Sequence, residues 1–110
     1  MILYSSTASP FGRKIKLAAH VLGLIGEISV RPTDTMNAED EIRTINPLGK
    51  IPSLVLGGTA LYDSRVIMEY LDSRVGGGRL IPAAGIDRYT CLTAAAKMDG
   101  IIDAALLMVY

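Results

Sequence analysis

Two short β-rich runs separated by a pair of glycines constrain this chain more than any other feature. Residues 53–56 and 59–62 contain mostly aliphatic, β-branched and aromatic residues, and Gly57 and Gly58 lie between them. A two-residue glycine loop suits the tight turn of a β-hairpin. The sequence therefore predicts an antiparallel pair of strands, and with it a sheet, in the middle of the chain.

The N-terminal part predicts a strand, a helix and a second strand. Residues 2–4 form a short apolar run that predicts a buried first strand. Ser9-Pro10 is typical of a helix start, because serine caps a helix well and proline is pre-organised for its first position. Apolar residues then recur at helical spacing as far as Leu22. Residues 27–30 predict a second strand, parallel to the first and joined to it by a right-handed crossover.

The rest of the chain is predicted to be helical outside the hairpin. A short helix is expected over residues 38–44, and a longer one begins near Asp63-Ser64. Residues 76–85 hold four glycines and a proline, which predicts a linker. The elements imply an α/β domain whose four-stranded mixed sheet has helices on both faces. The predicted division is a domain at 1–75, the linker at 76–85 and a last helix at 86–110.

The composition excludes several classes of function. Lysines and arginines number 11, as do aspartates and glutamates, so the chain has no net charge with which to attract nucleic acid or an anionic membrane. No residues resemble a secretory signal, and no apolar run reaches the length that spans a bilayer. Cys91 is the single cysteine, which excludes an internal disulfide and favours a cytoplasmic location. His20 is the single histidine, and alone it predicts neither a metal site nor a catalytic triad.

Three motifs in this order resemble the N-terminal domain of soluble glutathione S-transferases. They are Ser9-Pro10-Phe11, the run NPLGKIP at 46–52, and Leu-Tyr-Asp-Ser at 61–64. Each motif alone is weak, but their order and spacing on these elements make the resemblance specific. It covers residues 1–85 well and extends loosely into the last helix. It implies a thioredoxin-like βαβ-α-ββα domain, followed by the first helix of a second, all-helical domain, in a homodimer.

Ser9 is the residue whose hydroxyl, by this resemblance, activates the thiol of glutathione. From the residues alone, Ser9 is a helix cap. The same helix start carries a partial positive charge and unpaired N–H groups, so a thiolate held there is stabilised and its pKa falls. Ser6 is the alternative source of the hydroxyl. Glutaredoxins resemble this segment but have a cysteine where Ser9 stands, which disfavours a thiol oxidoreductase.

The other two motifs, by the same resemblance, bind glutathione. The Ile51–Pro52 bond is implied to be cis, and the backbone of Ile51 is implied to pair with the cysteinyl residue of glutathione. Lys50 is implied to lie beside the glycyl carboxylate. Ser64 and the N–H groups of its helix suit the γ-glutamyl carboxylate, and Asp63 suits the γ-glutamyl ammonium.

The last helix carries two aspartates of interest. Asp103 is implied to reach the partner's γ-glutamyl ammonium across a dimer, although the residue alone is typical of a solvated helix face. Asp99 lies on the helix's apolar stripe, so we expect it to have a partner or to face an interface. The predicted stripe comprises Leu92, Ala95, Asp99, Ile102, Leu106 and Val109.

The resemblance implies a transferase in which the thiolate of glutathione attacks a small electrophile. Glutathione is then a co-substrate, and no cofactor or metal is implied. A non-catalytic module that only binds glutathione, or only dimerises, is the alternative interpretation. The apolar stripe of the last helix is expected to pack back on the domain, to pair with another chain or to mark the chain as the glutathione-binding part of a longer protein.

Overall fold

The computed structural model describes residues 1–109, and of Val109 only the backbone. The element order is the predicted βαβ-α-ββα followed by one helix, so the predicted fold class is confirmed. Residue 110, the predicted end of the last helix, lies outside the described residues, as does the side chain of Val109. The elements are β1 (Ile2–Ser5), α1 (Pro10–Val21), β2 (Ser29–Pro32), α2 (Ile42–Ile45), β3 (Ser53–Leu56), β4 (Thr59–Tyr62), α3 (Ser64–Arg74) and α4 (Gly85–Val109).

The strands of the described chain form one mixed sheet in the order β2-β1-β3-β4. The pair β1–β2 is parallel because α1 carries the chain back over the sheet between these strands. The pairs β1–β3 and β3–β4 are antiparallel. Gly57 in the hairpin turn has a φ of 57°, a conformation that residues with a side chain disfavour, so glycine is the residue that suits this position.

The main core lies between the sheet and the helices α1 and α3. Leu3 and Leu54 of the two central strands meet Ile15 of α1 and Ile67 and Leu71 of α3. All five side chains are fully buried. Burial of each such side chain stabilises the fold by about 1.5–3 kcal/mol. The core thus fixes the starts of α1 and α3 against the same face of the sheet.

The opposite face of the sheet is covered by the α2 segment. Side chains alternate along a strand, so Tyr4 points away from Leu3 and its core. The Arg31 guanidinium lies 5.6 Å from the Tyr4 ring and donates to Glu41, the residue before α2. Ile42 of α2 is fully buried and lies outside the main core cluster. Helices therefore cover both faces of the sheet, as predicted.

The second strand begins two residues later than predicted. Residues 25–27 form a single 3₁₀ turn instead of leading directly into a strand. The N–H of Ser29 then donates to the carbonyl of Met1 at 2.8 Å, which starts the pairing with β1. The strand consequently runs over Ser29–Pro32 and not over 27–30.

The short helix also begins later than predicted. Asp34 and Asp40 accept backbone N–H groups within the preceding segment, which stays in turns. Asp40 Oδ1 accepts the N–H of Ile42 at 2.9 Å and so caps the helix from two residues before it. The helix therefore runs over Ile42–Ile45 and not over 38–44.

The connection between α3 and α4 is fastened by a buried carboxylate. Asp72 on the last turns of α3 is 4% exposed. Its carboxylate accepts the N–H groups of Arg79, Leu80 and Ile81 at 3.0, 3.2 and 3.0 Å. Burial alone would raise the pKa of Asp72, but these bonds and one from Gly78 outweigh burial and hold the pKa below its usual value.

Helix α4 turns its predicted stripe towards the rest of the domain. Leu92, Asp99, Ile102 and Leu106 are half-buried, whereas the stripe's small residue, Ala95, is exposed. Of the helices that the structure describes, none combines the length and the apolar character needed to cross a membrane. The middle of α4 thereby comes to lie beside the starts of α1 and α3.

Candidate active site

One cleft, here called the site cleft, collects residues from four parts of the fold. These parts are the start of α1, the loop before β3, the start of α3 and the middle of α4. The cleft has a volume of about 390 Å³. Its lining residues are Phe11, Asn46, Leu48, Lys50, Ile51, Pro52, Tyr62, Asp63, Ser64, Arg65, Ala96, Asp99, Gly100 and Asp103.

The loop before β3 contributes three of the predicted site residues. Lys50, Ile51 and Pro52 all line the site cleft. The Ile51–Pro52 bond is cis, the isomer that the family resemblance implies. Strand pairing begins only at Ser53. Among the described residues the N–H of Ile51 has no hydrogen-bond acceptor, so it is available to a ligand.

The start of α3 contributes two more of the predicted site residues, Asp63 and Ser64. Asp63 is the N-cap of α3, and its Oδ1 accepts the N–H of Arg65 at 3.0 Å. Ser64 is the first helical residue and lines the cleft while remaining 6% exposed. A helix N-terminus favours negative charge, so an anionic group in the cleft is stabilised beside Ser64.

Arg65 forms a two-pronged ion pair with Asp63 that none of the sequence motifs predicted. Arg65 Nε lies 3.0 Å from Asp63 Oδ1, and Arg65 Nη2 lies 2.7 Å from Asp63 Oδ2. The hydrogen bond from Arg65 lowers the pKa of Asp63 to about 2, so the carboxylate is ionised at neutral pH. Both side chains are largely exposed, and a pair of this kind exchanges partners at little cost. An arginine two residues after a capping aspartate is the signal that could have revealed it.

Helix α4 forms one wall of the cleft with Asp99 and Asp103. Lys14 Nζ on α1 lies 3.0 Å from Asp99 Oδ1 and 3.2 Å from Asp99 Oδ2, which confirms that Asp99 has a partner. The same ammonium lies 5.6 Å from the centre of the Phe11 ring. Asp103 is exposed at the edge of this chain's own cleft. Its contact across a dimer stays a prediction.

Ser9 caps α1 as predicted, but it is not among the residues that line the cleft. Its Oγ accepts the N–H of Gly12 at 3.0 Å, and the residue is half-buried. A hydroxyl that accepts one hydrogen bond keeps its own proton to donate. Phe11, two residues further on, lines the cleft. Ser6, the alternative hydroxyl, does not line it either, and the activating role of Ser9 stays a prediction.

The site cleft suits a zwitterionic ligand with several charges. The Lys50 ammonium and the start of α3 favour carboxylates, whereas the ionised Asp63 and the exposed Asp103 favour an ammonium. Phe11 and Tyr62 add apolar surface beside these charges. The arrangement can therefore bind a small peptide-like molecule by its charged ends.

Comparison with known proteins gives a family for the chain. Residues 3–79 match the family model described as "Glutathione S-transferase, N-terminal domain". An uncharacterized GST-like protein, YibF, of Escherichia coli K12 is 33% identical over 99% of this chain and 54% of its own length. A stringent starvation protein A homologue of Coxiella burnetii is 29% identical over 83% of this chain and 43% of its own length.

Solved structures agree with this match. A glutathione transferase family member from Pseudomonas fluorescens Pf-5, with bound glutathione, superposes with a TM-score of 0.89 at 40% identity, over 96% of this chain and 53% of that one. A glutathione S-transferase from Methylobacillus flagellatus KT with bound glutathione gives a TM-score of 0.88 at 37% identity, over 96% and 52%. The chain thus spans about half the length of the relatives it matches.

Proposed function

This chain belongs to the glutathione S-transferase family, and we propose that it binds glutathione in the site cleft and activates its thiol for attack on a small electrophile. The observation that carries the proposal is the convergence of Lys50, Ile51, Asp63 and Ser64 on one cleft. Two relatives of known structure, 40% and 37% identical, hold glutathione. The cleft's charges match the two carboxylates and the ammonium of that tripeptide.

Binding of glutathione would use each end of the tripeptide. The γ-glutamyl carboxylate lies at the start of α3 beside Ser64, where the helix dipole stabilises it. The γ-glutamyl ammonium pairs with the Asp63 carboxylate and displaces Arg65 from it. The cysteinyl backbone pairs with Ile51, and the glycyl carboxylate lies beside the Lys50 ammonium.

Activation of the thiol would depend on the start of α1. The sulfur lies near the helix N-terminus, where the partial positive charge lowers the thiol pKa. The Ser9 hydroxyl oxygen still accepts the N–H of Gly12, and the hydroxyl donates a hydrogen bond to the sulfur. The thiol proton passes to water. The thiolate then forms a carbon–sulfur bond with the electrophile, and the electron pair of the bond broken in the electrophile departs with a leaving group or, in an addition, takes a proton from water.

The setting of this activity is part of the proposal. We expect a cytoplasmic homodimer in which Asp103 lies close to the partner's glutathione. No cofactor is needed beyond glutathione as co-substrate. Detoxification of reactive electrophiles is the role that fits such a reaction.

The test is the pKa of the thiol of bound glutathione, followed by the ultraviolet absorbance of the thiolate. With the wild-type chain we expect a pKa below the ordinary cysteine value of about 8.5. Ser9→Ala should raise it towards that value while leaving glutathione affinity nearly unchanged. Thr7→Ala removes an exposed hydroxyl from the same loop and serves as the matched control.

Each alternative gives a different result in the same titration. If Ser6→Ala raises the thiol pKa and Ser9→Ala does not, the activating hydroxyl is Ser6. If the wild-type chain does not bind glutathione, the proposal is wrong. Equal loss of affinity and of thiolate in Ser9→Ala would show that Ser9 acts only as a cap.

A non-catalytic binding module is the second candidate. Two observations favour it: Ser9 does not line the cleft, and a relative at 29% identity is named a stringent starvation protein A homologue, not a transferase. This candidate predicts that glutathione binds with an unshifted thiol pKa and without conjugation of an aryl chloride. A glutaredoxin-like activity stays disfavoured because position 9 is a serine.

A further inference from the structure

We infer that Asn46 is a positioning residue that aims the N–H of Ile51 into the site cleft. The inference rests on the proposed binding of glutathione and goes beyond it, because it names a residue that sets the geometry of the contact. Asn46 follows α2, lines the cleft and is 1% exposed. A buried amide of this kind is stable only when its polar atoms are paired.

The Asn46 side chain closes the loop that carries Ile51. Its Oδ1 accepts the N–H of Leu48 at 2.9 Å. Its Nδ2 donates to the carbonyl of Lys50 at 3.2 Å and to Ser53 Oγ at 3.4 Å. Ser53, fully buried at the start of β3, donates in turn to the same Lys50 carbonyl at 3.1 Å.

Two side chains thus hold one carbonyl, and that carbonyl belongs to the peptide unit of Ile51. The Lys50 C=O and the Ile51 N–H share one rigid plane and point in opposite directions across a trans bond. Fixing the carbonyl on its protein side therefore fixes the N–H on the other side. Among the described residues this N–H has no acceptor, and Ile51 lines the cleft.

A residue that only stabilises the loop would act on all ligands of the cleft alike. A residue that aims one N–H acts on the single ligand atom that accepts it. In the proposed complex that atom is the cysteinyl carbonyl oxygen of glutathione. A glutathione analogue in which a trans-alkene replaces the cysteinyl–glycyl amide keeps the shape, both charged ends and the thiol without adding a charge, but it lacks this acceptor.

The experiment compares the Kd of glutathione with the Kd of this alkene analogue, by calorimetry, in the wild-type chain and in Asn46→Asp. Aspartate keeps the acceptor for Leu48, but it places a carboxylate oxygen where Nδ2 donated to the Lys50 carbonyl. The wild-type chain should prefer glutathione by about five- to tenfold. Asn46→Asp should lose most of this preference.

Two further variants separate positioning from stability. Ser53→Ala removes the second donor to the Lys50 carbonyl and should reduce part of the preference for glutathione. If Asn46→Asp does not fold, Ser53→Ala provides the test in its place. Leu22→Ala lowers stability from the core, outside the cleft, and should leave the preference intact.

Two outcomes would overturn the inference. One is a full preference for glutathione in both Asn46→Asp and Ser53→Ala. The other is a wild-type chain that binds glutathione and the alkene analogue equally well. In the second outcome glutathione binding itself still stands, so the failure of the inference is distinguished from failure of the proposed function, in which neither ligand binds.

Discussion

Lys14 on α1 and Asp99 on α4 form an ion pair at 3.0 Å although 85 residues separate them in the chain. The side chains are only 25% and 14% exposed, so water screens this pair less than a surface pair. The bond ties α1, which Ser9 caps, to α4, which forms one wall of the site cleft. It therefore contributes to the shape of the cleft as well as to stability.

A double-mutant cycle on this pair should reveal a measurable coupling. We expect Lys14→Met and Asp99→Asn each to lower the free energy of unfolding, and the double variant to lose less than the sum, with a coupling of about 1 kcal/mol. The matched control is the cycle on Arg31 and Glu41, whose side chains are about half exposed and should couple more weakly. Strictly additive losses at Lys14 and Asp99 would contradict the expectation; denaturant unfolding measures both cycles.

Replacement of Asp72 by asparagine should destabilise the chain at neutral pH by about 1–3 kcal/mol. Asparagine fills the same space, but it offers one acceptor oxygen where the carboxylate offers two, so at least one buried N–H of the connection loses its partner. Thermal unfolding of the variant measures the loss. Asp87→Asn, at an exposed position at the start of α4, is the control and should be near neutral.

The contribution of Asp72 should also depend on pH. Because folding lowers the pKa of Asp72, its stabilisation is fully present above the unfolded value of about 3.9 and is lost as the pH falls through the lower folded value. The difference in unfolding free energy between the wild-type chain and Asp72→Asn should therefore be constant at neutral pH and shrink below about pH 4. A difference that stays constant down to acid unfolding would show that the charge of Asp72 does not matter.

Gly12→Ala should destabilise the chain, although alanine favours helices by about 1 kcal/mol over glycine. A Cβ on Gly12 would lie 2.1 Å from Ser5 Oγ and 3.2 Å from Ser9 Oγ. Ser5 is fully buried and has little room to move, so a loss of about 1–3 kcal/mol is expected. Ser5→Ala in the same chain removes the closest atom and should restore most of the loss in thermal unfolding. No rescue would place the strain elsewhere.

The fold was predictable because its signals are local. Each signal sets the structure of only a few neighbouring residues, as with the glycine pair of the hairpin, the Ser9-Pro10 helix start and the linker glycines. The predicted starts of β2 and α2 were wrong, because these starts depend on hydrogen bonds that the hydrophobic pattern of the sequence does not show. The N–H of Ser29 needs the Met1 carbonyl, and Asp40 competes for the first N–H groups of α2.

Much of the lining of the cleft was predictable from the motifs, but the position of Ser9 outside that lining and the supporting contacts were not. The motifs named Lys50, Ile51, Asp63 and Ser64, which do converge on the cleft. The pairing of Lys14 with Asp99 is a long-range contact, and the hydrogen bonds of Asn46 follow from how one loop closes on itself. Neither kind of contact has a sequence period, so only the three-dimensional arrangement reveals it.

The backbone of Asp63 has φ 72° and ψ 124°, a conformation that residues other than glycine disfavour. Holding it there costs about 1–3 kcal/mol, which a glycine would recover. Two selections applied to a library at this position should therefore diverge. Screening for heat resistance should enrich glycine, whereas screening for capture of the tripeptide should keep the acidic residue. Robustness and recognition oppose one another at a single residue.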